Sequence, residues 1–198
     1  MLPIYLASAA PRRRELMEQL GLKFSVVISN IDESAGLGEN IPPGRLVEEL
    51  SLRKASQVAR EVDRGLVIGS DTVVVWRGMI LGKPGDRQDA LEMLKCLQGD
   101  EHVVYSGLAV INAETGKTHV SHEETRVIFR PVGMDELERY VDTGEPWDKA
   151  GAYAIQGLGS IFVKGIEGCY SNVVGLPLAR LAGVLKHFGV DVLGGCPV

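Results

Sequence analysis

A short apolar run at residues 3–8 gives way at Pro11 to a helical spacing that continues to residue 20, with Leu16, Met17 and Leu20 on one face. Pro11 suits the first position of that helix and Gly21 suits its stop. Residues 24–28 read as a second strand, and residues 31–43 as a polar loop. A longer helix over 46–62 carries Leu46, Val47, Leu50, Val58 and Val62. The most strand-like stretch is LVIGSDTVVVW, residues 66–76, turned back by Arg77-Gly78 into residues 79–81. A helix over 88–97 ends at Gly99. Residues 103–113 and 118–129 form a hairpin around Glu114-Thr115-Gly116-Lys117. Beyond it the pattern predicts a short helix over 134–141, a glycine-rich loop over 150–159, short strands over 160–163 and 170–174, and a closing helix over 177–188 stopped by Gly189. Strands and helices alternate but hairpins interrupt them, so the expected fold is α/β with a mixed sheet.

Composition narrows the classes. The 198 residues allow one large domain, or two small lobes around a cleft. A net charge of −5 disfavours nucleic acid and anionic membrane as partners, since both need a basic surface. No apolar run approaches the ~18 residues of a membrane span. The run from Leu2 to Ala10 resembles a secretory leader, but Arg12, Arg13 and Arg14 follow the apolar stretch instead of preceding it, so it reads as a buried strand. Cys96, Cys169 and Cys196 are scattered and odd in number, as expected of reduced thiols in the cytoplasm.

Several positions are candidates for chemistry. Pro-Arg-Arg-Arg at a helix start sets cations against the helix dipole, although free N–H groups there attract anions. With the small turn Ser8-Ala9-Ala10 before it, the segment is either a phosphate cradle or a solvated basic face. Asp71 interrupts an otherwise apolar strand. It is either a metal ligand or general base, or a strand-end carboxylate satisfied by backbone N–H groups. Thr72, next along, faces the other side. Asp32 and Glu33 are a solvated pair unless the fold brings them near Asp71, because carboxylates with phosphate oxygens are the usual way to hold Mg²⁺. Lys54 on its helix is a surface lysine or a phosphate ligand, and Lys83 sits in the tight turn Gly82-Lys83-Pro84. In the loop after Asp148-Lys149, Gln156 could read a base edge through its amide, or the loop is plain surface. There is no GxxxxGK[ST] phosphate loop, and the histidines show no metal spacing; His119 and His122 lie three apart on a strand and face opposite sides.

The stretches LASAAPRRREL (6–16), LRKA (52–55), VIGSDTVV (67–74), LGKP (81–84), GEPWDKAGAYAIQG (144–157) and VVGLPL (173–178), in this order, resemble the Maf family of nucleotide pyrophosphatases. The resemblance runs nearly the full length, 1–198 as one domain. It implies an elongated α/β fold, related to the inosine triphosphatases, with a mixed twisted sheet flanked by helices and two lobes around a cleft. It also implies hydrolysis of nucleoside triphosphates to monophosphate and pyrophosphate, with a divalent cation, Mg²⁺ or Mn²⁺, and often a homodimer. Asp71 matches the family's catalytic acid, which activates water and touches the metal. Glu33 matches an acid near the metal, and Ser8, Arg13, Lys54 and Lys83 match phosphate-binding positions. Arg12, Thr72 and Gln156 are similar to the branch that prefers dTTP and UTP; a sister branch acting on 7-methyl-GTP carries Trp, Gln and Glu there. Three departures stand out: Ala10 where the family has a second small hydroxyl, Ser70 in place of Ala before the acid, and Cys169 where Gly-Asp-Tyr is usual. The competing expectations are a nucleotide-sensing regulator of septum formation, and a pyrophosphatase for modified purine nucleotides.

Overall fold

The computed structural model describes residues 2–32 and 41–194. A seven-stranded sheet runs in the order β2-β1-β3-β5-β6-β7, with β4 paired to β3. The strands are β1 (Ile4–Ala7), β2 (Ser25–Val26), β3 (Leu66–Trp76), β4 (Met79–Leu81), β5 (Glu101–Asn112), β6 (Thr118–Phe129) and β7 (Val163–Glu167). β1 lies parallel to β2 and β3, whereas β3–β4 and β6–β7 are antiparallel, so the sheet is mixed as the alternation of elements predicts. The helices are α1 (Pro11–Gln19), α2 (Pro43–Ala59), α3 (Arg87–Leu97), α4 (Met134–Asp142), α5 (Tyr170–Val174) and α6 (Leu178–His187).

The chain forms two compact units: Met1–Asp71 with Ser106–Glu123 and Gly175–Val198, and Thr72–Tyr105 with Glu124–Val174. In the first, the apolar faces of β1, β3, β5 and α2 enclose Ala7, Ala55, Val58, Val67, Ala109 and Ile111. α2 can lie this close to the sheet because two strand positions facing it are glycines. A Cβ on Gly69 would collide with the Ser51 carbonyl, and one on Gly107 with the Val47 carbonyl. In the second unit α3 and α4 bury Leu91, Leu94, Leu97, Leu137 and Val141 with Phe129, Tyr140, Tyr153 and Phe162. α3 starts at an N-cap, Asp86, whose carboxylate accepts the Asp89 N–H at 2.8 Å. The β3–β4 turn puts Arg77 (φ 47°) and Gly78 (φ 83°) in the left-handed region, the geometry a two-residue hairpin loop requires.

Two expected strands are corrected. Residues 158–162 form a 3-10 turn, Leu158–Phe162, and the strand starts only at Val163. Residues 170–174 are helical, not extended. Their β-branched residues mimic strands, but tertiary bonding overrides propensity. The Asn172 amide, fully buried, donates to the Val104 carbonyl at 3.1 Å and to Thr125 Oγ1 at 2.9 Å, which the helical turn permits. α2 also begins at Pro43, three residues before the first apolar position of its pattern, since Pro is suited to the start of a helix. Among the described residues no helix is long and apolar enough to cross a membrane.

Candidate functional site

The first unit gathers buried polar side chains that an ordinary core excludes. β1 ends at Ala7, and the turn Ser8-Ala9-Ala10 leads into α1. Ser8 Oγ accepts the Ala10 N–H at 3.2 Å and an Arg13 Nη1–H at 3.4 Å, while Arg13 Nε donates to the Gly175 carbonyl at 2.8 Å. Ser8 and Arg13 are both 6% exposed. The arginine triplet therefore divides. Arg13 turns inward, Arg12 is half-buried in the same first turn, and Arg14 is exposed on an ion pair with Glu18. The solvated-face alternative describes Arg14 and does not describe Arg13.

Gly69 and Asp71 share one face of β3, and Gly69 meets α2 on that face. The close approach of α2 lets Lys54 Nζ reach Asp71 Oδ1 at 2.5 Å. Both residues are at most 9% exposed, so Lys54 is not a surface lysine and Asp71 is not a strand-end acid resting on backbone alone. Burying two charges is costly, and removing either partner strands the other. Behind them Ser70 Oγ bonds the carbonyls of Gly107 (2.8 Å) and Gly175 (3.0 Å), so Gly175 O is shared by Ser70 and Arg13. The Ser70 departure thus has a structural use: its one O–H proton is shared between two backbone carbonyls. Ser51 also bonds backbone, donating to the Val47 carbonyl at 2.6 Å.

Thr72, Lys83 and Gln156 belong to the second unit. Thr72 and Gln156 are half-buried and Lys83 is exposed. The Gly151 N–H donates to the Gly82 carbonyl at 2.9 Å, which ties the Lys83 turn to the start of the loop that carries Gln156. Gly151 is left-handed (φ 70°), and a Cβ there would crowd the Val74 side chain at 3.0–3.1 Å. Tyr153, in the same loop, meets His102 Nε2 at 2.8 Å, and both rings stack edge-on against Phe129. Burial lowers the His102 pKa to about 4, so its imidazole is neutral at pH 7. Glu33 lies outside the described residues, and Asp32 is exposed.

Sequence reasoning missed Ser51, His102, Tyr140 and Glu145, and noted Ser70 only as a departure from the family pattern. The lone glycines inside strand patterns, Gly69 and Gly107, were the available signal that a backbone approaches closely beside Asp71.

One unit of this α/β protein thus buries a lysine–carboxylate ion pair, Lys54–Asp71, and an arginine bonded to a serine, Arg13–Ser8, at the first turn of a helix. The chain belongs to the Maf family: the model for Maf-like proteins matches residues 3–188. A protein of Desulforamulus reducens named dTTP/UTP pyrophosphatase is 55% identical over 98% of this chain and 100% of its own length. One of the same name from Pelotomaculum thermopropionicum is 54% identical over the same shares. A solved HAM1 protein from Coxiella burnetii shares the fold, with a TM-score of 0.51 at 15% identity over 94% of this chain and all of its own.

Proposed function

We propose that this chain hydrolyses nucleoside triphosphates, foremost dTTP and UTP, to the nucleoside monophosphate and pyrophosphate. One observation carries the reading: a carboxylate buried mid-strand against a lysine, in a chain that matches proteins named for this activity from end to end.

In this reading Arg13, Lys54 and Ser8 grip the phosphates, with Lys83 as a further cation, and Arg12, Thr72 and Gln156 select the nucleotide. Lys54 already neutralises Asp71, and an arriving polyanion competes for the same ammonium. Loosened from it, Asp71 takes a proton from water as the water oxygen attacks the α-phosphorus. The bond to the β-phosphate oxygen breaks and pyrophosphate leaves with its electron pair.

Among the described residues no three His, Cys, Asp or Glu side chains gather into a metal cage. Mg²⁺ needs no such cage, because one or two carboxylates, water and substrate phosphates suffice. Asp71 fits that donor set, with Glu33 proposed as its second carboxylate. A bound Mg²⁺ or Mn²⁺ would supply charge neutralisation at the phosphates. The whole chain is read as one Maf-like domain, cytoplasmic, with the nucleotide as its partner and a homodimer as its assembly.

The test is a panel of canonical and modified nucleoside triphosphates with Mg²⁺ or Mn²⁺, measuring pyrophosphate and orthophosphate separately. Pyrophosphate release led by dTTP and UTP, and at least ~10³-fold lower in Asp71→Asn, is expected. Modified purines leading the panel would overturn the base assignment. No turnover of any triphosphate would remove the enzymatic reading and leave a nucleotide sensor.

A further inference from the structure

Gln156 sits in a glycine-rich loop that has little intrinsic reason to hold one shape. The second unit supplies the reason. Glu145 Oε2 accepts the Leu158 N–H at 2.9 Å, and Oε1 accepts both the Gly159 N–H and the Tyr140 hydroxyl at 2.9 Å. The Tyr140 oxygen in turn accepts the Ala154 N–H at 3.3 Å. One carboxylate and one phenol therefore hold the backbone two residues before Gln156 and two and three residues after it.

The glycines of the loop are shaped to this pair. A Cβ on Gly157 (φ 78°) would stand 2.6 Å from Glu145 Oε2, and one on Gly159 would stand 2.8 Å from the Tyr140 oxygen. The holders are themselves fixed. Tyr140 is 4% exposed and packs edge-on against Phe162 at 4.9 Å, and Glu145 opens a 3-10 turn that follows Gly144 (φ 82°) and buries Pro146. Burial, with the Glu145 carboxylate beside it, raises the Tyr140 pKa, so the phenol stays a donor. Hydrogen bonds to a carboxylate are the strong kind.

We infer that Glu145 and Tyr140 are positioning residues for base selection: they pre-set the loop so that the Gln156 amide is held in one orientation when the nucleotide arrives. This rests on the assignment of Gln156 to the base. It predicts a selectivity defect from a residue that touches no substrate, because pre-organisation is lost before binding.

Glu145→Gln is the sharpest variant. Its amide offers one acceptor where two are used, and sets an N–H against an N–H at one anchor. The expected result is a KM for dTTP raised about tenfold with kcat changed far less, and a narrowed preference for dTTP over a purine triphosphate. In the Gln156→Ala background the same substitution should add nothing to either change. Tyr140→Phe should act in the same direction by less, and it replaces Glu145→Gln if circular dichroism shows the latter unfolded. Gln156→Ala altering the preference while Glu145→Gln and Tyr140→Phe do not, or the two effects simply adding, would overturn the inference. Gln156→Ala leaving the preference unchanged would remove the base assignment first, and the positioning role with it.

Discussion

In the first unit Lys54 and Asp71 are buried and answer each other charge for charge at 2.5 Å. In the second, Glu145 is surrounded by backbone N–H groups and a phenol, and His102 is buried neutral against another phenol. The difference is one of exchangeability. An ion pair can give up its partner to another ion of the same sign, which is what a site for a polyanion must do. A carboxylate satisfied by the backbone has nothing to exchange, and serves to keep a loop where it is. The first arrangement suits the chemistry proposed for Asp71, and the second the positioning inferred for the Gln156 loop.

The largest effect should come from breaking the first arrangement alone. Lys54→Met leaves Asp71 buried without its cation, at a cost of about 3–5 kcal/mol. The denaturation midpoint should fall accordingly, and turnover should fall with it. Adding Asp71→Asn removes the stranded charge, so the double variant should recover most of the stability and none of the activity. If stability does not recover, the pair is not the buried, mutually dependent unit that its 10% and 13% side-chain exposures imply.

The second arrangement should break with acid. The His102 pKa is lowered from 6.5 to about 4 by burial, with Asp100 pulling weakly the other way. The unfolded chain therefore binds a proton that the folded chain refuses. Its contribution to stability is complete above pH 6.5 and is lost as pH falls toward 4, about 3 kcal/mol in all. The ring also faces Tyr153, whose pKa burial raises, and Phe129, neither of which carries a charge to offset the imidazolium. Unfolding midpoints from pH 7.5 to 4.5 should fall less steeply for His102→Gln than for the unsubstituted chain. Identical slopes would mean that His102 is protonated without loosening its contacts.

The two regions were not equally legible in the sequence. Strand 66–76 was readable to the residue because it is rich in β-branched residues on both sides of Gly69-Ser70-Asp71, and Asp71 drew notice as the charge inside it. Arg13 and Asp71 are conspicuous for the same reason: charges in dipole-opposed or apolar settings ask to be explained, whereas Lys54 on its helix reads as surface until the resemblance gives it a phosphate role. Glu145 and Tyr140 violate nothing, since a glutamate after a helix and an aromatic on its apolar face are ordinary. Their partners are backbone N–H groups, which every sequence has, so only coordinates reveal the bonds. Residues 170–174 misled for a related reason, because Asn172 selects the helix through bonds to Val104 and Thr125, both more than 40 positions away.

The smallest expected change tests how closely the first region is matched to the phosphates proposed for it. Ala10 is the N-cap of α1, extended at φ −73° and ψ 118°, with no side-chain cap, and Ser8 Oγ accepts its N–H. The N–H groups of Arg12 and Arg13 occupy the positions that a capping hydroxyl serves, and Arg13 N already bonds the Ala10 carbonyl at 3.1 Å. Ala10→Ser should therefore raise stability by about 1 kcal/mol, or roughly 2–4 °C in Tm. The same hydroxyl stands in the turn assigned to phosphate, where one more neutral donor is worth about 0.5–1 kcal/mol and should lower KM for dTTP roughly two- to fivefold. Thermal melts and steady-state kinetics on the one variant separate the two roles. A higher Tm with an unchanged KM would assign position 10 to the helix alone, and a lower KM with an unchanged Tm would assign it to the nucleotide. A drop in both stability and affinity would mean that the turn has closed around alanine and that Ser8 and Arg13 provide the cradle without a second hydroxyl.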